Sequence, residues 1–137
     1  MITGFRSRQW LDYNGKIFQT DAVKNYLIPA CNYREELQWL PYAEEADLLN
    51  VALFGFTAKA WREANPELAK KSNVRDYATI NELTVLSNLE SHNAQMIRDG
   101  RDKTERFTVL KELAEYQLRV LNEAETINNR IEEKISV

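Results

Sequence analysis

Apolar residues recur every three or four positions along the second half of the chain, which is the spacing of one buried helix face. Leu83, Leu86 and Leu89 begin one such series. A second and longer series runs towards the C-terminus: Phe107, Leu110, Leu113, Ala114, Leu118, Leu121, Ala124, Ile127, Ile131 and Ile135. Sustained alternation of apolar and polar residues, the pattern of a strand, does not occur. The pattern predicts an all-α fold, a compact bundle of about five helices with a long C-terminal helix.

Capping residues and glycines predict where several helices begin and end. Thr79 and Glu82 have the spacing of a capping box, in which each side chain satisfies a backbone amide that the first helical turn leaves free. Thr57 is predicted to cap a shorter helix. Gly55 and Gly100 follow helical patterns, as expected of residues that adopt the left-handed conformation after a helix.

The first half of the chain is less regular. Thr20 or Asp21 is predicted to cap a short helix, although the preceding residues 16–19 could form a brief strand pairing. The next helix contains a nearly continuous apolar run at 48–54. Its acidic residues are predicted to lie in the first turns, where carboxylates complement the helix dipole: Glu44, Glu45 and Asp47.

Length and composition indicate a single globular domain. The chain has 137 residues, of which 44% are hydrophobic and 28% charged. Cys31 is the only cysteine, so an internal disulfide cannot form. The sequence has neither a membrane-spanning apolar run nor a signal-peptide pattern, and we expect a cytoplasmic protein without membrane contact. The net charge of −3 is not the basic excess that typifies nucleic-acid binders.

The sequence offers no recognisable catalytic or metal-binding motif. His92 is the only histidine, and neither HxxxH nor CxxC occurs. The adjacent carboxylates at 35–36, 44–45 and 132–133 would point about 100° apart on a helix and would not converge on one reacting atom. The glycines stand singly, so no phosphate-binding loop is present. We therefore expect a protein that is not an enzyme and uses no cofactor or metal.

Two groups of residues are candidates for binding. The first is a basic group flanked by Trp61 and Tyr77, which could contact an acidic protein surface or a nucleic acid: Arg62, Lys70, Lys71 and Arg75. The alternative is a solvated loop beside core aromatics. A further basic group surrounds Gly100, where the helix dipole already explains positive charge: Arg98, Arg101, Lys103 and Arg106.

The second candidate group lies on the last helix, whose apolar stripe is too long for the rest of a small domain to cover. Its final members are expected to extend beyond the core or to meet a second chain: Leu121, Ile127, Ile131 and Ile135. A homo-oligomer, or a complex with another protein, is the partner that this pattern predicts. Nucleic acid is the less favoured partner.

Several segments, in order along the chain, resemble one known family. They are Thr20-Asp21-Ala22-Val23-Lys24, Leu27-Ile28-Pro29, the run from Tyr42 to Gly55, Thr57-Ala58-Lys59-Ala60-Trp61-Arg62, Asn65-Pro66, Asn73-Val74-Arg75-Asp76-Tyr77-Ala78, Asn88-Leu89-Glu90, Asn93-Ala94 and Glu105-Arg106. Together they resemble the region C-terminal to the KilA-N domain in phage-derived and bacterial KilA-N proteins. The resemblance spans residues 16–121, whereas residues 1–13 depart from it.

The resemblance implies a role in binding. In that family DNA binding belongs to the N-terminal KilA-N domain, and the resembling region has no assigned catalytic residues. We therefore expect a non-catalytic module that mediates self-association or partner binding and so regulates a DNA-bound protein. The alternatives are a stand-alone phage effector that inhibits a host enzyme or defence complex, and a DNA- or RNA-binding accessory domain. Met1 would then be either the native start or the edge of a domain cut from a longer protein.

Overall fold

The computed structural model describes residues 16–31 and 40–135, and within these ranges the fold is all-α, as predicted. Helix α1 covers residues 16–31 and includes a π-helical segment, Val23–Leu27, followed by a last turn at Ile28–Cys31. The remaining elements are α2 (Leu40–Phe54), α3 (Ala58–Ala64), α4 (Pro66–Ala69), a 3₁₀ turn (Val74–Tyr77), α5 (Ile80–Arg98) and the long α6 (Lys103–Ile135).

Helices α5 and α6 form an antiparallel pair. Near the start of α5, the Asn81 side-chain amide donates to Asn122 Oδ1 at 2.9 Å and to Glu125 Oε2 at 2.8 Å. About two turns further along α5, the Asn88 side-chain amide donates to Gln117 Oε1 at 3.0 Å. Later residues of α5 therefore contact earlier residues of α6, and the C-terminal end of α5 lies beside the N-terminal end of α6.

The core lies between α2, α5 and α6. It is formed by buried apolar side chains from all three helices and from the residue that precedes Thr79: Leu49, Ala52, Ala78, Leu83, Val85, Leu86, Leu89, Met96, Leu110 and Ala114. A smaller cluster joins α1 to the C-terminal half of α5 and consists of Ala22, Val23, Ala94 and Ile97. The predicted face of α5 is thus the face that packs.

The predicted helix ends are confirmed where the signal was local. Thr79 Oγ1 accepts the Glu82 amide at 3.0 Å, and the Thr79 amide donates to Glu82 Oε1 at 2.9 Å. Thr57 Oγ1 accepts the Ala60 amide at the start of α3. Gly55 and Gly100 have φ values of 86° and 76°, the left-handed conformation expected after a helix.

The predicted cap in the first half of the chain was wrong. Residues 16–22 are helical, so Thr20 and Asp21 lie inside α1 rather than at its N-cap, and the alternative of a brief strand pairing at 16–19 does not occur. Gln19, Ala22 and Val23 are all buried, and their spacing of three and four residues keeps one continuous helical face against the bundle. This packing extends the helix through positions that would otherwise favour a cap.

The acidic residues of α2 also differ from expectation. The helix already includes Leu40 and Pro41, so Glu44 and Glu45 lie beyond its first turn and Glu45 is buried. Pro66 begins α4 directly after Asn65, the residue that caps the end of α3, because a proline at the first helical position sacrifices no intrahelical hydrogen bond. The 3₁₀ turn, whose capping box joins Asn73 and Asp76, was not predicted.

Candidate functional site

Four polar side chains meet inside the bundle, and we refer to them as the buried polar cluster: Gln19, Glu45, Asn93 and Arg106. Each comes from a different helix, namely α1, α2, α5 and α6. Their exposed fractions are 8%, 2%, 0% and 2%, respectively. The cluster is therefore sealed from solvent at the point where four helices converge.

Hydrogen bonds connect all four members. The Arg106 guanidinium binds both carboxylate oxygens of Glu45, through Nη1 to Oε1 and through Nη2 to Oε2 at 3.3 Å. Arg106 Nη1 also donates to Asn93 Oδ1 at 2.9 Å, and Nε donates to the Arg101 carbonyl at 3.1 Å. The Asn93 side-chain amide donates to Glu45 Oε1 at 2.8 Å and to Gln19 Oε1 at 3.0 Å.

This arrangement favours a structural role over a chemical one. A bidentate arginine–carboxylate pair fixes both the distance and the orientation of the two side chains. Asn93 donates to the carboxylate and accepts from the guanidinium, so it gives each ion a further hydrogen bond. A burial of at least 92% for each member leaves no surface on which a substrate could reach the carboxylate. The cluster therefore holds α1, α2, α5 and α6 in one arrangement.

The sequence-based interpretation of Arg106 and Glu45 was wrong. The sequence pattern attributes both charges to helix dipoles, that of Arg106 to the helix that ends near Gly100 and that of Glu45 to the start of its own helix. The structure instead pairs them, across 61 positions in sequence, as the most buried ion pair that it describes. One signal could have pointed to them: Asn93 interrupts the apolar stripe of α5, and a buried amide there requires polar partners.

Two cations of the predicted basic group lie beside carboxylates. Lys70 contacts the Glu67 carboxylate at 3.3 Å, and Arg75 lies 3.9 Å from the buried carboxylate of Glu90. Arg62 lies on α3 and Lys71 in the turn after α4, and both side chains are exposed. Carboxylates thus accompany two of the four predicted cations and reduce the local positive potential that a phosphate would require.

The flanking aromatics differ from one another in exposure. The rings of Trp61 and Tyr77 lie 5.7 Å apart and join α3 to the 3₁₀ turn. Trp61 is half-buried, whereas Tyr77 is 54% exposed. The aromatic pair therefore stabilises the position of the loop, and only part of its surface remains available to solvent.

Apolar residues on α6 remain exposed to solvent, and we refer to them as the outer stripe: Tyr116, Val120, Ala124, Ile127 and Ile131. Ile127 and Ile131 are 55% and 49% exposed. Leu121, which was predicted to belong with them, is half-buried and packs against the core. The side chain of Ile135 lies outside the described residues.

The outer stripe is exposed for two reasons, and the first is that α6 is longer than α5. The first turn of α5 faces Asn122 and Glu125, so residues 126–135 of α6 continue past it for about 15 Å at 1.5 Å per residue. We refer to residues 126–135 as the free segment of α6. Tyr116 and Val120 precede it and lie on the side of α6 that faces away from the core. Together with Ile127 and Ile131 of the free segment they form one continuous apolar strip.

Other kinds of site were sought in the described ranges. Among residues 16–31 and 40–135, no three His, Cys, Asp or Glu side chains lie close enough together to hold a metal ion. None of the helices in these ranges has the length and apolar character needed to cross a bilayer. Comparison with known proteins found no matching family model, no matching curated protein and no matching solved structure.

Proposed function

We propose that this chain is a non-catalytic interaction module that self-associates through the outer stripe of α6. The observation that carries the proposal is the exposure of Val120, Ile127 and Ile131 along a helix that continues beyond its intramolecular partner. Single exposed apolar residues are ordinary on a protein surface, but a contiguous strip indicates an interface. A second copy presents the same strip and is therefore a matching partner.

The expected affinity is moderate. Full burial of an isoleucine or valine contributes about 1.5–3 kcal/mol, and roughly half of each side chain is already covered in the monomer. In a symmetric dimer each residue counts twice, so Val120, Ile127 and Ile131 together contribute roughly 5–9 kcal/mol. Association itself costs about 4–15 kcal/mol, so we propose a reversible, concentration-dependent dimer rather than a permanent one.

Within the family that the sequence resembles, such a module would bring together two copies of a DNA-bound protein and so regulate it. Direct nucleic-acid binding is less favoured, because Lys70 and Arg75 each lie beside a carboxylate. An effector that inhibits a host protein would also need an exposed apolar surface, but that surface would not have to be complementary to a second copy of itself.

Light scattering coupled to size-exclusion chromatography tests the proposal. The wild-type mass should rise from monomer to dimer with concentration, and Ile127→Glu should remain monomeric because it places a charge inside the interface. Asn129→Glu is the matched control, since the two positions lie about 200° apart around the helix. Circular dichroism should show equal helicity for both variants. A wild-type chain that stays monomeric at every concentration would overturn the proposal.

A further inference from the structure

The direction in which two copies pair follows from the charges that flank the outer stripe. We propose that the two α6 helices pair antiparallel, with Glu123 of each copy facing Arg130 of the other. This inference rests on the proposed self-association and adds the geometry of the partner. The result is a two-fold dimer in which the two cores lie at opposite ends of the helix pair.

The spacing of the stripe is that of a helix–helix seam. Positions 120, 124, 127 and 131 are separated by four, three and four residues, the alternation that keeps one face of a helix against another over successive turns. In an antiparallel pair, Val120 can lie opposite Ile131 of the second copy. Ala124 then lies opposite Ile127 of the second copy, so a small side chain meets a large one in each central layer.

Glu123 and Arg130 lie on the same side of this seam. They are seven residues apart, which places them two turns apart and within about 20° of each other around the helix. Both are exposed. Among the side chains that the structure describes, neither has an oppositely charged group within 4.0 Å. Both charges therefore remain available to a partner.

Antiparallel pairing brings these charges together twice. In the register given above, Glu123 lies level with position 128 of the second copy, so Arg130 of that copy is about 3 Å further along the axis. Long side chains can bridge this offset. Symmetry repeats the contact, and each dimer gains two reciprocal ion pairs on the flank of the seam.

Parallel pairing would leave the same charges without partners. In a parallel pair, a flanking residue faces the residue five positions later in the second helix, on the opposite flank of the seam. Glu123 would then face Asn128, and Arg130 would face position 135, an isoleucine. Only the antiparallel arrangement matches each charge with its opposite.

Charge reversal tests the direction of pairing. Glu123→Arg alone places arginines opposite each other at two points of the dimer, and Arg130→Glu alone does the same with glutamates. Each should weaken the homodimer by about tenfold, given the modest strength of exposed ion pairs. An equimolar mixture should dimerise about as tightly as the wild type, because one variant contributes two positive side chains and the other two negative ones.

Analytical ultracentrifugation of each variant and of the mixture provides the dissociation constants. Asn129→Arg mixed with Asn129→Glu controls for general attraction between oppositely charged chains, and should show no preference for the mixed dimer. A mixture of the seam variants that is no tighter than its components would overturn antiparallel pairing while the wild-type dimer stands. A wild-type chain that is monomeric would overturn the proposed self-association itself.

Discussion

The ion pair between Glu45 and Arg106 offers a sharp test of what holds the bundle together. Arg106→Met keeps an unbranched apolar side chain and removes the guanidinium with its charge and donors. Glu45 then loses both contacts with the guanidinium and keeps the Asn93 amide at 2.8 Å. Because Glu45 is 2% exposed, water cannot replace the lost partner without opening the bundle.

The magnitude follows from the burial of both groups. Removing one partner of a buried ion pair costs about 3–5 kcal/mol, since the other charge remains without compensation. A domain of ordinary stability has about 5–15 kcal/mol in total, so the variant should lose a large share of its free energy of unfolding. Glu45→Leu should be costly for the same reason, because Arg106 is also 2% exposed.

The double variant Glu45→Leu with Arg106→Met should be more stable than Arg106→Met alone. With both charges gone, the remaining defects are neutral groups that lose a partner: the Asn93 carbonyl oxygen, the amide hydrogen that Asn93 donates to Glu45, and the Arg101 carbonyl. A buried neutral group left without its partner costs about 1–3 kcal/mol, which is less than a buried charge left without its partner. The sum of the two single losses would be far larger. This departure from additivity distinguishes a buried ion pair from two independent packing residues.

Urea unfolding followed by circular dichroism, at one fixed protein concentration, measures these differences. Lys103→Met is the matched control, because Lys103 and Glu44 form a 3.6 Å pair between the same two helices with side chains 50% and 38% exposed. It should cost at most about 1 kcal/mol. The reasoning fails if Arg106→Met is no more destabilising than this control, or if the double variant loses the full sum of the single losses.

Two further predictions concern helix ends. Thr79→Ala should lower the free energy of unfolding by about 1 kcal/mol in the same urea assay, because the Glu82 amide loses its acceptor. Thr108→Ala, on the exposed side of α6, is the control and should be close to neutral. Gly100→Ala should lower the free energy of unfolding by roughly 1–2 kcal/mol, because an alanine is strained at the φ of 76°. An added Cβ would meet no atom within 4 Å, so steric overlap does not contribute to this cost. An unchanged thermal midpoint would contradict a left-handed Gly100.

The features that could be predicted from the sequence depend on neighbours in the chain. The capping box of α5 involves residues three apart, and the left-handed glycines follow helices whose periodicity is itself local. The apolar series that ends at Ile135 predicts a long C-terminal helix, and that helix is found at Lys103–Ile135. Such signals require no knowledge of which helix packs against which.

The features that escaped prediction depend on distant partners. From the sequence, Glu45 resembles a carboxylate that complements a helix dipole, because its partner Arg106 lies 61 positions further along the chain. Leu121 and Ile127 belong to one apolar series but point about 120° apart around the helix, and the packing of the neighbouring helices decides that the first is covered and the second is exposed. For the outer stripe, sequence periodicity defined a helix face, whereas helix packing determined which part of that face stays free.

The continuity of α6 has a consequence for its free segment. Residues 126–135 would be too short to hold a helix alone in water, because the first turn of an isolated helix is costly to form. Here the packed part of α6 supplies that turn, and each further residue only extends it. Opening should therefore begin at the C-terminal end and spread inward, so amide hydrogen exchange should slow progressively from position 131 towards Leu121. A partner that covers Ile127 would slow exchange along this whole stretch.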